Sequence, residues 1–325
     1  MNTFRESSFT LRKLLAAVFA VVIATSLTAC APHTANDMFS SLKAECGTAK
    51  EGKNVAQVTT SKSATSKVPT LNFPIGIDSK SIETKIITAG TGPKITGGQF
   101  ISFEFAQAVG ATGKVSGNSK FDGTDTQSQF LDAGSNLCKA FGGVREGSRV
   151  ALLIPSSIMS AGEKVQSSGV IVFDIKKVFL PHAVGDEKNN ENGLPTVIRA
   201  TNGQPTLQFA TGSAPTELKT VTLVKGWGEK VAADRGQKVM IHYAGWVWNT
   251  HVKFDSSWDN KRPVQFDLAT GSLIDGMIKG LDGQTVGSQV MLVIPPSLGY
   301  KQQELQNIPA NSTLIFVVDI LGVTK

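Results

Sequence analysis

Apolar and polar side chains alternate through Val239, Ile241 and Tyr243, which predicts a strand over Lys238–Tyr243 with one face buried. Further strands are predicted at Thr222–Val224, Val264–Leu268, Ser288–Ile294 and Thr313–Leu321, each an apolar or alternating run. One stretch has the other period. Ile274, Met277, Ile278 and Leu281 fall three and four residues apart and predict a short helix over Ile274–Leu281. A single helix packed on an antiparallel sheet is an α+β layer arrangement.

Much of this pattern occurs twice. Pro69-Thr-Leu-Asn-Phe73 recurs as Pro205-Thr-Leu-Gln-Phe209, and Gly90-Thr-Gly92 as Gly226-Trp-Gly228. Phe121-Asp122 answers Phe254-Asp255, Phe130 answers Phe266, and Gly134-Ser135 answers Gly271-Ser272. Leu153-Ile154-Pro155 answers Val293-Ile294-Pro295, and Phe173-Asp174-Ile175 answers Val318-Asp319-Ile320. Such ordered self-similarity predicts two copies of one domain, over 69–181 and 205–325. The acidic, amide-rich stretch 182–204 between them is expected to be a linker.

The first residues belong to neither copy. Arg5, Arg12 and Lys13 precede an apolar run from Leu14 to Ile23 that ends in Leu27-Thr-Ala-Cys30, the pattern of a secretory signal over 1–29. A cysteine after Leu-Thr-Ala resembles the bacterial lipobox, which implies lipidation of Cys30 and an anchored, extracytoplasmic protein at the cell membrane. An uncleaved transmembrane helix is the alternative. Residues 30–68 then read as a flexible tether, with Met38 to Ala44 a candidate helical turn docked on the first domain through Cys46.

Removing the signal lowers the formal charge from +6 to +4. The basic residues are scattered without arginine-rich runs, which argues against a nucleic-acid partner. Cys46 and Cys138 remain after Cys30, either as a disulfide or as two separately buried thiols. None of the four histidines has metal-ligand spacing with Cys, Asp or Glu, so neither metal nor cofactor is expected.

The second copy, with His242-Tyr243-Ala-Gly245, Phe254-Asp255-Ser-Ser257, Gly280-Leu-Asp-Gly283, Ile308-Pro309 and Thr313-Leu-Ile-Phe316, resembles the FKBP-type peptidyl-prolyl cis-trans isomerases. The resemblance implies two FKBP-like domains, each a twisted sheet wrapped around its helix with a proline-binding pocket between them. It assigns catalytic positions to Tyr243, Phe254, Asp255, Tyr300 and Phe316. Substrate-binding positions fall on Leu273, Ile274, Met277, Ile308 and Val264. Tyr300 is expected to donate its hydroxyl to a substrate carbonyl, the Ile274 N–H to donate to another, and Asp255 to border the bound amide.

Rotation about an X-Pro bond needs no nucleophile. Its barrier of about 18–20 kcal/mol comes from lost amide resonance, so apolar walls and a few hydrogen bonds suited to a twisted amide suffice. Two departures stand out: Met277 replaces a tryptophan common at the pocket floor, and Val264 replaces a frequent aromatic. Both bear on binding of the family's macrolide inhibitors. The first copy has Phe105 for Tyr243, and Asn136, Leu137 and Ala140 at helix positions, so it is expected to keep the fold without a complete site. The reading is an isomerase acting on Pro-containing exported polypeptides, the alternative a non-catalytic chaperone or assembly scaffold.

Overall fold

Short β-branched and apolar runs separated by glycine turns leave the described residues little that can form long helices, and among them the strands dominate. The computed structural model describes residues 33–61, 67–159, 167–191, 193–269, 271 and 273–324. The segment expected to be a secretory signal, 1–29, and the expected lipidation position Cys30 lie outside them. Among the described residues no helix is long and apolar enough to cross a membrane.

The chain opens with helix α1 (Ala35–Ser40) and a ribbon of β1 (Thr59–Thr60) on β2 (Leu71–Asn72). The first domain follows with β3 (Glu83–Thr88), β4 (Gln99–Val109), β5 (Val115–Asn118), β6 (Gln127–Leu131), α2 (Asn136–Phe141), β7 (Arg149–Ile154), α3 (Ser156–Met159) and β8 (Gly169–Val178). Next come β9 (Asp186–Glu187), β10 (Thr196–Arg199) and β11 (Pro205–Gln208). The second domain holds β12 (Lys219–Lys225), β13 (Lys238–Val247), β14 (Lys253–Ser256), β15 (Val264–Asp267), α4 (Asp275–Leu281), β16 (Gln289–Ile294) and β17 (Leu314–Thr324).

The two sheets are the same object. One runs β3-β7-β8-β4-β5 with β6 also on β4; the other runs β12-β16-β17-β13-β14 with β15 also on β13. Every pair is antiparallel, and β-bulges recur at matching places, between Ile86 and Thr88 in one and Thr222 and Val224 in the other. Phe105 pairs with Phe173 as Tyr243 pairs with Val318, so Phe105 holds the Tyr243 position.

The register also corrects the sequence alignment of the copies. Gly245 pairs with Asp255, and its counterpart Gln107 pairs with Gly117, so Gly117 rather than Asp122 stands at the Asp255 position. Phe121 and Asp122 lie beyond β5, with Phe121 at φ 60°. Likewise Gln129, across from Ile101, holds the place of Phe266, across from Val239; Phe130 is one residue off. The turns after the helices superpose Gly143 on Gly283, which puts Leu137 at Met277 and Gly134 at Ile274.

Each sheet buries two faces. The inner faces join one core that runs through both domains, including Phe141, Ile175, Phe179, Ile241, Leu281 and Ile320. The outer faces are covered by the repeated Pro-Thr-Leu-x-Phe segments. Leu71 and Phe73 pack on Ala151, Leu153 and Val172, while Leu207 and Phe209 pack on Trp246, Met291 and Ile315. The stretch 182–204 is therefore more than a linker: β9 extends the second sheet beside β12, β10 pairs with β11, and Leu194 and Val197 join the cover.

The described part of 30–68 is likewise packed. Met38 is fully buried and Phe39 nearly so in the shared core, and a disulfide joins Cys46 to Cys138 on α2 with Cα atoms 4.9 Å apart. The domains meet through the Leu180 N–H, which donates to the Leu321 carbonyl at 3.0 Å, and through Phe179, which lies where a side chain on Gly322 would be. The Arg262 guanidinium sits 5.1 Å above the Phe100 ring across the same seam.

Candidate active site

Strand β13 carries the site because its two faces do different work. Tyr243 and Gly245 face α4, whereas Ala244 and Trp246 face the outer cover. Gly245 is bare for a reason: a Cβ there would lie 2.6 Å from Phe254 Cζ and 2.9 Å from Phe316 Cε1. Both rings pack over that gap, edge to face with centroids 5.5 Å apart. Helix α4 approaches β16 as closely, since a Cβ on Gly280 would meet Leu292 Cδ2 at 2.5 Å.

Between sheet and helix opens a cleft of about 380 Å³ lined by Tyr243, Phe254, Asp255, Phe266, Gly271, Leu273, Ile274, Met277, Tyr300 and Phe316. Met277, almost fully buried, forms the floor, and Ile274 stands at the N-cap of α4. Phe266 and Phe316 flank Tyr243, with ring centroids 6.1 and 6.2 Å away.

The polar groups sit at the rim. The Tyr243 hydroxyl donates to Asp255 Oδ2 at 2.5 Å. Burial raises the Tyr243 phenol above its ordinary range, and the Asp255 carboxylate raises it further. Tyr300 is raised for the same two reasons, burial first and the Asp255 charge second, so both phenols remain protonated donors at neutral pH. An exposed carboxylate bonded to a half-buried phenol, beside a second phenol and an apolar basin, can hold a carbonyl and shelter a twisted amide. Among the described residues of the cleft none is arranged as a nucleophile with its base.

Eight of the ten residues that the sequence points to, Tyr243, Phe254, Asp255, Leu273, Ile274, Met277, Tyr300 and Phe316, come together here. Two do not. Ile308 is buried in the core and Val264 lies on β15 opposite Ile241, both outside the lining. The aromatic that lines the cleft from β15 is Phe266, two residues on; alternation puts it on the same face as Val264, and the pairing of the strand decides which of them reaches the cleft. Among the described residues no cluster of His, Cys, Asp and Glu could hold a metal ion.

At the equivalent positions the first domain has Phe105, Ser116, Gly117, Gln129, Leu137 and Ile171. It keeps apolar bulk and lacks the phenol-carboxylate pair.

Residues 228–321 match the family model of the FKBP-type peptidyl-prolyl cis-trans isomerases. An FK506-binding protein of Streptomyces anulatus is 35% identical over 122 residues, 37% of this chain and 97% of that one. FK506-binding protein 2 of Dictyostelium discoideum is 45% identical over 94 residues, 29% of this chain and 70% of its own. The crystal structure of AtFKBP13 aligns at 30% identity over 34% of this chain and 96% of that chain, with a TM-score of 0.30. The Streptomyces relative is covered over 97% of its length, and the segment that matches the family model holds the cleft, so this chain belongs to the FKBP-type peptidyl-prolyl cis-trans isomerase family.

Proposed function

We propose that the chain catalyses cis-trans isomerisation of X-Pro bonds in exported polypeptides at the outer face of the cytoplasmic membrane, using the second domain's cleft. The cleft carries the reading: apolar walls suit the proline ring, and Tyr300 and the Tyr243-Asp255 pair meet the polar backbone beside it. The Cys46–Cys138 disulfide supports an oxidising compartment, and Leu27-Thr-Ala-Cys30 supports a lipid anchor. Macrolides of the kind named in its relatives would enter the same cleft over Met277, a flexible floor.

Two measurements test this. The full chain should accelerate a proline-limited refolding reaction, which otherwise takes about tens to hundreds of seconds. Labelled fatty acid should enter the protein in cells and be lost in Cys30→Ser. Membrane association without label would point to an uncleaved apolar helix. The first domain, apolar at Phe105, Leu137 and Ile171 but lacking the polar pair, favours a second role in which it holds unfolded segments without turning them over.

A further inference from the structure

Asp255 lies on β14, an edge strand held by three register pairs with a bulge between Gly245 and Trp246. So short a ladder leaves the carboxylate dependent on whatever fixes the strand's end. That end is clamped by Ser257. The Tyr243 N–H donates to Ser257 Oγ at 2.8 Å, and the Ser257 N–H donates to the Tyr243 carbonyl at 3.0 Å. Behind the serine stands His242, 4% exposed, with Nδ1 2.8 Å from Ser257 Oγ and its ring stacked on Trp258 at 3.9 Å.

The first domain supplies an internal control. Its clamp is the same, with the Phe105 N–H donating to Ser119 Oγ at 3.1 Å and the Ser119 N–H to the Phe105 carbonyl at 2.8 Å. The histidine is absent. Glu104, which pairs with Asp174 as His242 pairs with Asp319, turns instead to Lys176 at 2.7 Å and accepts the Gly123 N–H at 2.9 Å. The serine clamp thus belongs to the fold, whereas the imidazole behind it occurs in the copy that has a phenol-carboxylate pair to align.

We infer that His242 is a positioning residue for isomerisation: through Ser257 it fixes the Tyr243 and Asp255 backbones so that the phenol-carboxylate pair keeps its geometry over the cleft. This rests on the function proposed for that cleft. Whichever ring nitrogen carries the proton, Nδ1 and the serine hydroxyl can pair, one donating and the other accepting. His242 is faced by Ser257 and Trp258 beyond β14, by Asp319 on β17 and by His182 at the start of the stretch 182–204. Burial, with His182 nearby, lowers its pKa to about 3, so its part is played by the neutral ring throughout the physiological range.

The test uses the full chain labelled with 3-fluorotyrosine. Tyr243 and Tyr300 are its only tyrosines, so two 19F resonances report the site directly. His242→Phe keeps the stack on Trp258 and removes Nδ1; His242→Asn restores a hydrogen-bonding group near that place. With folding verified by thermal melting, His242→Phe should lower kcat by about five- to tenfold with little change in KM and shift or broaden the Tyr243 signal alone. His242→Asn should recover most of the rate. Ser257→Ala, a smaller change should His242→Phe not fold, should reproduce both effects, and Ser119→Ala should leave the rate unaltered. Wild-type kcat and an unmoved Tyr243 resonance in folded His242→Phe or Ser257→Ala would overturn the inference, as would equal losses in the Phe and Asn variants. If the wild type is inactive the cleft assignment fails instead, and the 19F shifts still report whether His242 positions Tyr243.

Discussion

A hydrogen atom decides the shape of the cleft at Gly245, because the Phe254 and Phe316 rings occupy the space a methyl group would need. Gly245→Ala is expected to push both rings into the basin and lower kcat/KM by about tenfold or more, with a destabilisation of about 1–3 kcal/mol from overpacking. Steady-state rates beside a urea melt separate the two losses. Most of the site was legible in single residues. The only two tyrosines in the chain and the Phe254-Asp255 pair carried enough chemistry to be located, and all four line the cleft. Val264 was misplaced because alternation leaves Val264 and Phe266 on one face, and only the strand's length and pairing decide which of them reaches the pocket. His242 was read as a strand position, since nothing in a sequence shows that its ring lies behind Ser257.

Helix α4 shows why strands and helices here had to be read together. Its apolar period predicted its span, and the structure begins it at Asp275, one residue later. Its closeness to β16 was not predicted, although Gly276 and Gly280, four residues apart, are the reason: a Cβ on either would meet Ile294 or Leu292 at 2.3 or 2.5 Å. Gly280→Ala should improve intrinsic helix propensity by about 1 kcal/mol yet destabilise the domain by about 1–3 kcal/mol, measured by chemical denaturation. A stabilised variant would mean the helix can move away from the sheet freely. Alignment of the two copies went astray at Asp122, Phe130 and the α2 residues for a related reason. Short motifs such as Phe-Asp recur by chance, while bulges and cross-strand register, which fix the true correspondence, leave little trace in the sequence.

The domains share one core and a disulfide-bound segment, which sequence periodicity could not reveal because it describes elements and not what packs on them. Reducing Cys46–Cys138, which spans 92 residues, should lower stability by about 2–4 kcal/mol in a denaturant titration. Two buried groups set opposing pH dependences. His242, lowered by burial from 6.5 to about 3, contributes stability present above pH 6.5 that is lost as the pH falls toward 3. Asp319, raised by burial from 3.8 to about 6, contributes stability present below pH 3.8 that is lost as the pH rises through 6. Melting curves across this range should show His242→Phe less sensitive to acid than the wild type, and Asp319→Asn more sensitive; the reverse order would contradict the burial assignments. The central claim is that the second cleft performs isomerisation and the first does not. Its direct measurement is a proline-limited refolding assay with the full chain, Tyr300→Phe and Phe105→Ala side by side. The account predicts acceleration by the wild type, a roughly tenfold lower rate for Tyr300→Phe, equivalent to about 1.4 kcal/mol of lost transition-state stabilisation, and an unchanged rate for folded Phe105→Ala. No acceleration by the wild type, or a loss in Phe105→Ala equal to that in Tyr300→Phe, would contradict it.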